Sequence, residues 1–373
     1  MKSDLKDPPS SISPTLIYVI GGVALWAALT RRYYLIVVLT ISIAKGLPYC
    51  YRENDTGEAR RKAWGEKVQK EGTPSWLRVP HGIEVTSQYF ENSRGMLLYS
   101  FTMKPTDPAK IKGCVVYCHG YSDMASYLKK ASLYRLVKAG FVVSAVEYEG
   151  HGRSDGNLVE INSWDTLIND VIDYSRAVIE TLPSNCKVFL AGESMGGAVC
   201  FDCYSRGAGL FSGIIMVAPM LCIADEMKPP EFVINFIRNL LEYVPSLGQF
   251  PLAPSGDLRE LSHAVREKLL ISEDTPSNFA RKPRLCTARE MILVTERIEK
   301  EMYDFDGPFL VLHGGADKVT KPSMSQRVYK EAKSVDKTIK IYPGMWHTLL
   351  SGEPDENIEK VFGDIVDWLN ERV

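Results

Sequence analysis

Residues 187–199 read KVFLAGESMGGAV: a β-rich run, a serine set between glycines, and the opening of a helical pattern. A G-x-S-x-G placed between strand and helix demands a very sharp turn at Ser194. Side chains two residues to either side would collide there, which is a steric reason for Gly192 and Gly196. The turn pushes the serine hydroxyl out to where a base can reach it. It also leaves the Met195 N–H at a helix N-terminus, aimed at a developing oxyanion. The bland alternative is an ordinary serine in a glycine turn, and only partners elsewhere in the chain decide between them.

From residue 83 onward, strand and helix patterns alternate. An antiparallel pair, 84–90 and 96–103, is joined by the turn 91–95. Short β-rich runs follow at 113–118, 141–148, 187–191, 213–218, 309–312 and 338–342. Between them lie helical patterns at 127–139, 164–182, 196–205, 323–332 and 358–370. This alternation predicts an α/β fold: a mostly parallel sheet with helices on both faces. Ligands bind such sheets beyond the carboxyl ends of the strands.

Residues 221–292 interrupt the alternation and read as an inserted cap between core parts 81–220 and 293–373. A helix over 231–242 carries Phe232, Phe236 and Leu240 on one apolar face. That face either packs the cap onto the core or lines an acyl pocket, and these three are the candidate substrate contacts.

A base for Ser194 is expected late in the chain, after an acid. His347 follows the last strand in YPGMWH, and Asp317 follows the strand FLVL in HGGAD. The intervening length suits one helix and one strand, so both side chains reach the same sheet edge. His347 would take the serine proton, and Asp317 would hold the imidazole tautomer. Of the other histidines, His81 precedes the strand–helix alternation, His263 lies in the cap, and His119, His151 and His313 lie beside glycines in turns. The second oxyanion donor is assigned to the Tyr121 backbone N–H in VYCHGY, with His119-Gly120 as a shaped turn.

The stretches CHGYSD (118–123), EYEGHGRSDG (147–156), GESMGG (192–197), LHGGADKVT (312–320) and YPGMWHTLLSGEP (342–354) together resemble the monoacylglycerol lipase family and its plant-type lysophospholipase and esterase relatives. The resemblance covers residues 80–373 and implies the α/β-hydrolase fold, a cap over an apolar tunnel, and hydrolysis of ester bonds in single-chain acyl lipids without a cofactor. It carries over Ser194, Asp317 and His347, with Tyr121 and Met195 as oxyanion donors. Tyr121 departs from the small residue that follows His-Gly in the animal lipases, which narrows the expected mouth. A carboxylesterase acting on smaller or aromatic acyl esters is the alternative reading.

Residues 16–44 lie outside that resemblance and are almost wholly apolar, apart from Arg31 and Arg32. One helix through them would measure roughly 44 Å, longer than the ~30 Å hydrocarbon core. Two central arginines would each cost about 2.5–3.5 kcal/mol in the bilayer. Two arrangements survive: a single span ending at the arginines, or a hairpin whose arginines snorkel to the headgroups. Either makes residues 1–45 a membrane anchor, to the endoplasmic reticulum or a lipid droplet, with the catalytic part facing the cytosol. Residues 46–80 then read as a juxtamembrane connector, partly helical over 58–70. Its Arg60-Arg61-Lys62 run reads as a solvated patch or a contact to anionic headgroups.

A net charge of -2 gives no sign of a nucleic-acid partner. The partners expected instead are an acyl-lipid substrate and a lipid surface. Eight cysteines, several in apolar runs, read as small core hydrophobes in a reducing compartment. Cys200-x-x-Cys203 has no second pair at zinc spacing, so no metal site is expected.

Overall fold

The computed structural model describes residues 56–207, 209–221, 231–250, 259–278 and 282–373, without the side chains at 232, 233, 236, 237, 240 and 246. All belong to the unit formed by residues 53–373. The expected anchor therefore lies outside the described residues, and so do the side chains of Phe232, Phe236 and Leu240. Among the described residues no helix is long and apolar enough to cross a membrane.

Eight strands form one sheet: β1 (Ile83–Glu91), β2 (Leu97–Pro105), β3 (Gly113–Cys118), β4 (Phe141–Val146), β5 (Val188–Glu193), β6 (Gly213–Val217), β7 (Phe309–Gly314) and β8 (Lys337–Tyr342). Their order is β1-β2-β4-β3-β5-β6-β7-β8. β1 and β2 pair antiparallel, and so do β2 and β4, whereas all later pairings are parallel. Parallel strands covered on both faces need apolar residues throughout. β3 shows how this works: Cys114, Val116 and Cys118 enter one core layer while Val115 and Tyr117 enter the other.

The helices, in chain order, begin with α1 (Gly57–Glu71), α2 (Lys130–Lys138), α3 (Trp164–Ile179) and α4 (Met195–Arg206). The cap region holds α5 (Glu231–Tyr243), α6 (Arg266–Glu273) and α7 (Leu285–Glu301). α8 (Pro322–Glu331) and α9 (Asp355–Asn370) complete the set. α2 and α9 cover one face of the sheet, with Leu133, Leu136, Phe362 and Trp368 buried against it. α3 and α4 cover the other, through Trp164, Ile168, Val199 and Phe201. Cys200 and Cys203 are free thiols buried in that second layer.

Two features depart from the sequence expectations. Beyond the expected helix over 231–242, the cap region contains α6 and the long helix α7, which buries Val294 and Ile298 in the sheet's own core layer. The 292/293 division therefore falls inside a helix shared by cap and core. The connector is corrected more sharply, because Arg60 is fully buried rather than solvated. Its guanidinium donates to the carbonyls of Gly152, Ser154 and Gly156, and Arg61 pairs with Asp155 at 2.7 Å. Gly57 permits the approach: a Cβ there would lie 2.7 Å from the Asp155 backbone.

Candidate active site

Ser194 stands between β5 and α4 with φ 59° and ψ -122°, a conformation rarely adopted by residues with side chains. The surroundings force it. The Ser194 N–H donates to the Val217 carbonyl at 2.9 Å, and the Ser194 carbonyl accepts from Gly197 and Met220, each at 2.9 Å. A Cβ at Gly192 would lie 2.3 Å from the Gly196 carbonyl oxygen, and one at Gly196 would lie 2.0 Å from that of Cys118. The two glycines thus let the turn close and let α4 sit against the end of β3.

His347 and Ser194 line the same cleft, together with Tyr121. His347 Nδ1 meets Asp317 Oδ2 at 2.8 Å, and the carboxylate is fully buried. The acid's loop leaves β7 and the base's loop leaves β8. Gly314 lets the two loops touch, since a Cβ there would fall 2.1 Å from the Trp346 carbonyl oxygen. Asp317 Oδ1 accepts from the Val319 and Thr320 N–H groups at 2.7 and 3.1 Å. Oδ2 accepts from Thr320 Oγ1 at 2.9 Å and faces His313 Nε2 at 3.1 Å. Burial works to raise the Asp317 pKa, but hydrogen bonds from His313 and His347 outweigh it and hold the carboxyl far below the usual range. A carboxylate has no proton to give, so His347 Nδ1 carries the shared one. The Nε2 lone pair is left to act as a base.

The candidate oxyanion donors are the backbone N–H groups of Met195 and Tyr121. Met195 is the first residue of α4, and Tyr121 lies in the turn that follows β3. Among the described residues neither backbone N–H donates to a protein acceptor. His119 is no rival base. Its Nε2 accepts from the Tyr148 N–H at 3.1 Å, and its Nδ1 bonds the Gly120 carbonyl at 2.8 Å, so both ring nitrogens are engaged. Burial pushes its pKa down to about 4.

Several cleft residues carried no signal in the sequence. Glu193 and Lys129 form a buried ion pair beside Ser194. Glu193 Oε1 also accepts from the Leu350 N–H at 3.0 Å, which ties the turn of the nucleophile to the loop of the base. The cap reaches the same loop: Thr348 N–H donates to the Ser262 carbonyl and Val265 N–H to that of Gly352, each at 2.9 Å. His263 is carried on this cap segment and lines the cleft. Tyr127, also in the lining, is wedged edge-on between Trp64 of α1 and Trp76, at 5.3 and 5.0 Å between ring centres.

Residues 109–355 match the family model described as serine aminopeptidase, S33. The chain belongs to this family. It is a serine hydrolase of the α/β-hydrolase superfamily, and its relatives place it among the carboxylic-ester hydrolases. The chain is 32% identical to the caffeoylshikimate esterase of Arabidopsis thaliana, over 83% of this chain and 91% of that one. It is 26% identical to the human monoglyceride lipase, over 79% and 94%. A soluble variant of the Saccharomyces cerevisiae monoglyceride lipase, solved with a substrate analogue, superposes with a TM-score of 0.64 at 18% identity. That superposition covers 79% of this chain and 97% of the yeast chain, and shows the shared fold.

Proposed function

We propose that this hydrolase is a membrane-associated lipase that cleaves the ester of monoacylglycerol or a similar single-chain acyl lipid, such as a lysophospholipid. The observation that carries the chemistry is the buried Asp317–His347 pair, 2.8 Å apart, in a cleft shared with Ser194. His347 Nε2 takes the Ser194 proton as Oγ attacks the ester carbonyl, and Asp317 stabilises the imidazolium that results. The Met195 and Tyr121 N–H groups hold the oxyanion. His347 then gives its proton to the leaving alcohol, an acyl-enzyme remains, and water activated by the same imidazole releases the fatty acid.

Support for a lipid substrate comes from the monoglyceride lipase relatives and from the apolar stretch 16–44, which would hold the enzyme at the surface where such lipids reside. A second reading has a specific observation behind it: the 32% match to a caffeoylshikimate esterase favours an ester with an aromatic acyl group. Turnover of monooleoylglycerol, lysophosphatidylcholine and a hydroxycinnamoyl ester by the full-length enzyme separates the two. The lipase reading expects the first two substrates to exceed the third in kcat/KM. A preference for the aromatic ester would replace it with the esterase reading.

A further inference from the structure

A second histidine stands behind the proposed triad. His313, the penultimate residue of β7, is fully buried, and its Nε2 lies 3.1 Å from Asp317 Oδ2, on the carboxylate oxygen that His347 also uses. The Thr320 carbonyl oxygen faces the same nitrogen at 3.4 Å. A carboxylate and a carbonyl are both acceptors, so Nε2 must carry a proton. On the far side of the ring, Nδ1 meets Ser325 Oγ at 2.7 Å, in the first turn of α8. The chain of contacts therefore runs Ser325, His313, Asp317, His347, and ends at the cleft that His347 lines together with Ser194.

The geometry points to His313 as a positioning residue for the hydrolysis, one that fixes Asp317 Oδ2 in line with His347; this rests on the triad reading above. Oδ1 is already anchored by the Val319 and Thr320 N–H groups, and Thr320 Oγ1 reaches Oδ2. Those bonds hold the carboxylate in its loop. Thr320 Oγ1 has a single proton, however, and the Ala218 carbonyl oxygen at 3.1 Å competes with Oδ2 for it. Beside His347 itself, His313 meets Oδ2 from a ring seated on a strand and bonded to Ser325 of a helix. Its N–H opposes rotation of the carboxylate away from His347. A histidine that merely filled space in the core would need no donor aimed at the acid.

The two roles separate in His313→Leu and His313→Gln, measured in the full-length protein with Ser194→Ala as control. Leucine keeps bulk and loses the N–H, whereas glutamine keeps an N–H near the position of Nε2. Positioning predicts that His313→Leu lowers kcat about 10- to 100-fold at nearly constant KM, the scale seen when a supporting partner of a functional side chain is removed. His313→Gln should recover to within about threefold of wild type. The downfield proton resonance of His347 Nδ1–H should shift or broaden in the leucine variant and return with glutamine. Ser325→Ala, which leaves the ring in place, should give a smaller loss in kcat and keeps the question open to test if leucine prevents folding. A leucine variant within twofold of wild-type kcat overturns the assignment, and so does a loss that glutamine does not restore with the His347 resonance unmoved. Undiminished turnover in Ser194→Ala would instead remove the triad reading on which it rests.

Discussion

The Arg60 side chain donates from Nε to the Gly152 carbonyl at 2.8 Å, across 92 residues of sequence. Through this bond, and those to Ser154 and Gly156, α1 becomes part of the hydrolase fold. Trp64, one turn further on, packs against Tyr127 and donates its indole N–H to Ser277 Oγ at 3.2 Å. The helix that follows the apolar N-terminal stretch thus supports one wall of the cleft.

Where the chain can be cut follows from this. Deleting residues 1–45 should leave a folded enzyme that moves from the membrane pellet to the soluble fraction. It should remain active on dispersed ester but be slower on bilayer-embedded substrate, because the proposed anchor would no longer raise the local concentration. Deleting residues 1–72 should not yield folded protein, and Arg60→Ala in the full chain should cost about 3 kcal/mol or more, since several buried carbonyls lose their donor. Fractionation and urea titration read these outcomes. Stability unchanged in Arg60→Ala would show that the contacts are dispensable.

Ser194→Ala should lower kcat by about 10⁴-fold or more, leaving only the rate that binding and the oxyanion donors supply. His347→Ala should be comparably severe, and Asp317→Asn somewhat less. Labelling by a fluorophosphonate probe should disappear in the alanine variant at Ser194. Near-normal turnover there would exclude it as the nucleophile.

The sheet and the proposed triad were legible because each rests on local constraints. Parallel strands buried on both faces announce themselves as short apolar runs ending in glycine, and the elbow needs its glycines for steric reasons visible in the sequence. α7 was missed because LCTAREMILVTERIEKE is rich in charge and its apolar stripe is narrow. Arg60 was misread because a run of three basic residues looks solvated, and nothing in the sequence says that three carbonyls of the 152–156 loop await it. His313 hid among glycines. Its spacing of four from Asp317 was a usable signal only once the acid was known. The Arg60 contacts join segments more than ninety residues apart, and local pattern does not encode those.

Two buried histidines, His119 and His151, and the half-buried His263 predict acid sensitivity. Burial lowers His119 and His263 to about 4 and His151 to about 3, against about 6.5 in an unfolded chain. Between those values the unfolded state binds the extra protons, so stability is full above pH 6.5 and falls as pH drops toward 4. Each histidine contributes a slope of at most about 1.4 kcal/mol per pH unit. Asp317 adds to the same trend: its depressed pKa gives stability that is lost as pH falls below the ordinary carboxylate value, so it deepens the acid loss only beneath this window. Urea midpoints measured from pH 7 to 4 should fall, and His119→Asn should flatten the curve. A midpoint independent of pH over this range would show that these rings stay exposed to solvent or protonate without cost.

The cap helix α5 supplies the last prediction. Its existence over Glu231–Tyr243 agrees with the spacing of Phe232, Phe236 and Leu240, and its own Ile234 and Leu241 are buried. If the Phe236 face lines the acyl path, Phe236→Asp should weaken long-chain esters far more than short soluble ones. Each buried methylene contributes about 0.8 kcal/mol, so an oleoyl chain, about fourteen carbons longer than butyryl, has far more binding to lose to a charge in its path. Chemistry at Ser194 would be unchanged, and kcat on a butyryl ester should stay within about twofold. Comparing kcat/KM for butyryl and oleoyl esters decides it. Equal losses on both would mean that the face only packs the cap onto the core, and the acyl chain would then have to run elsewhere.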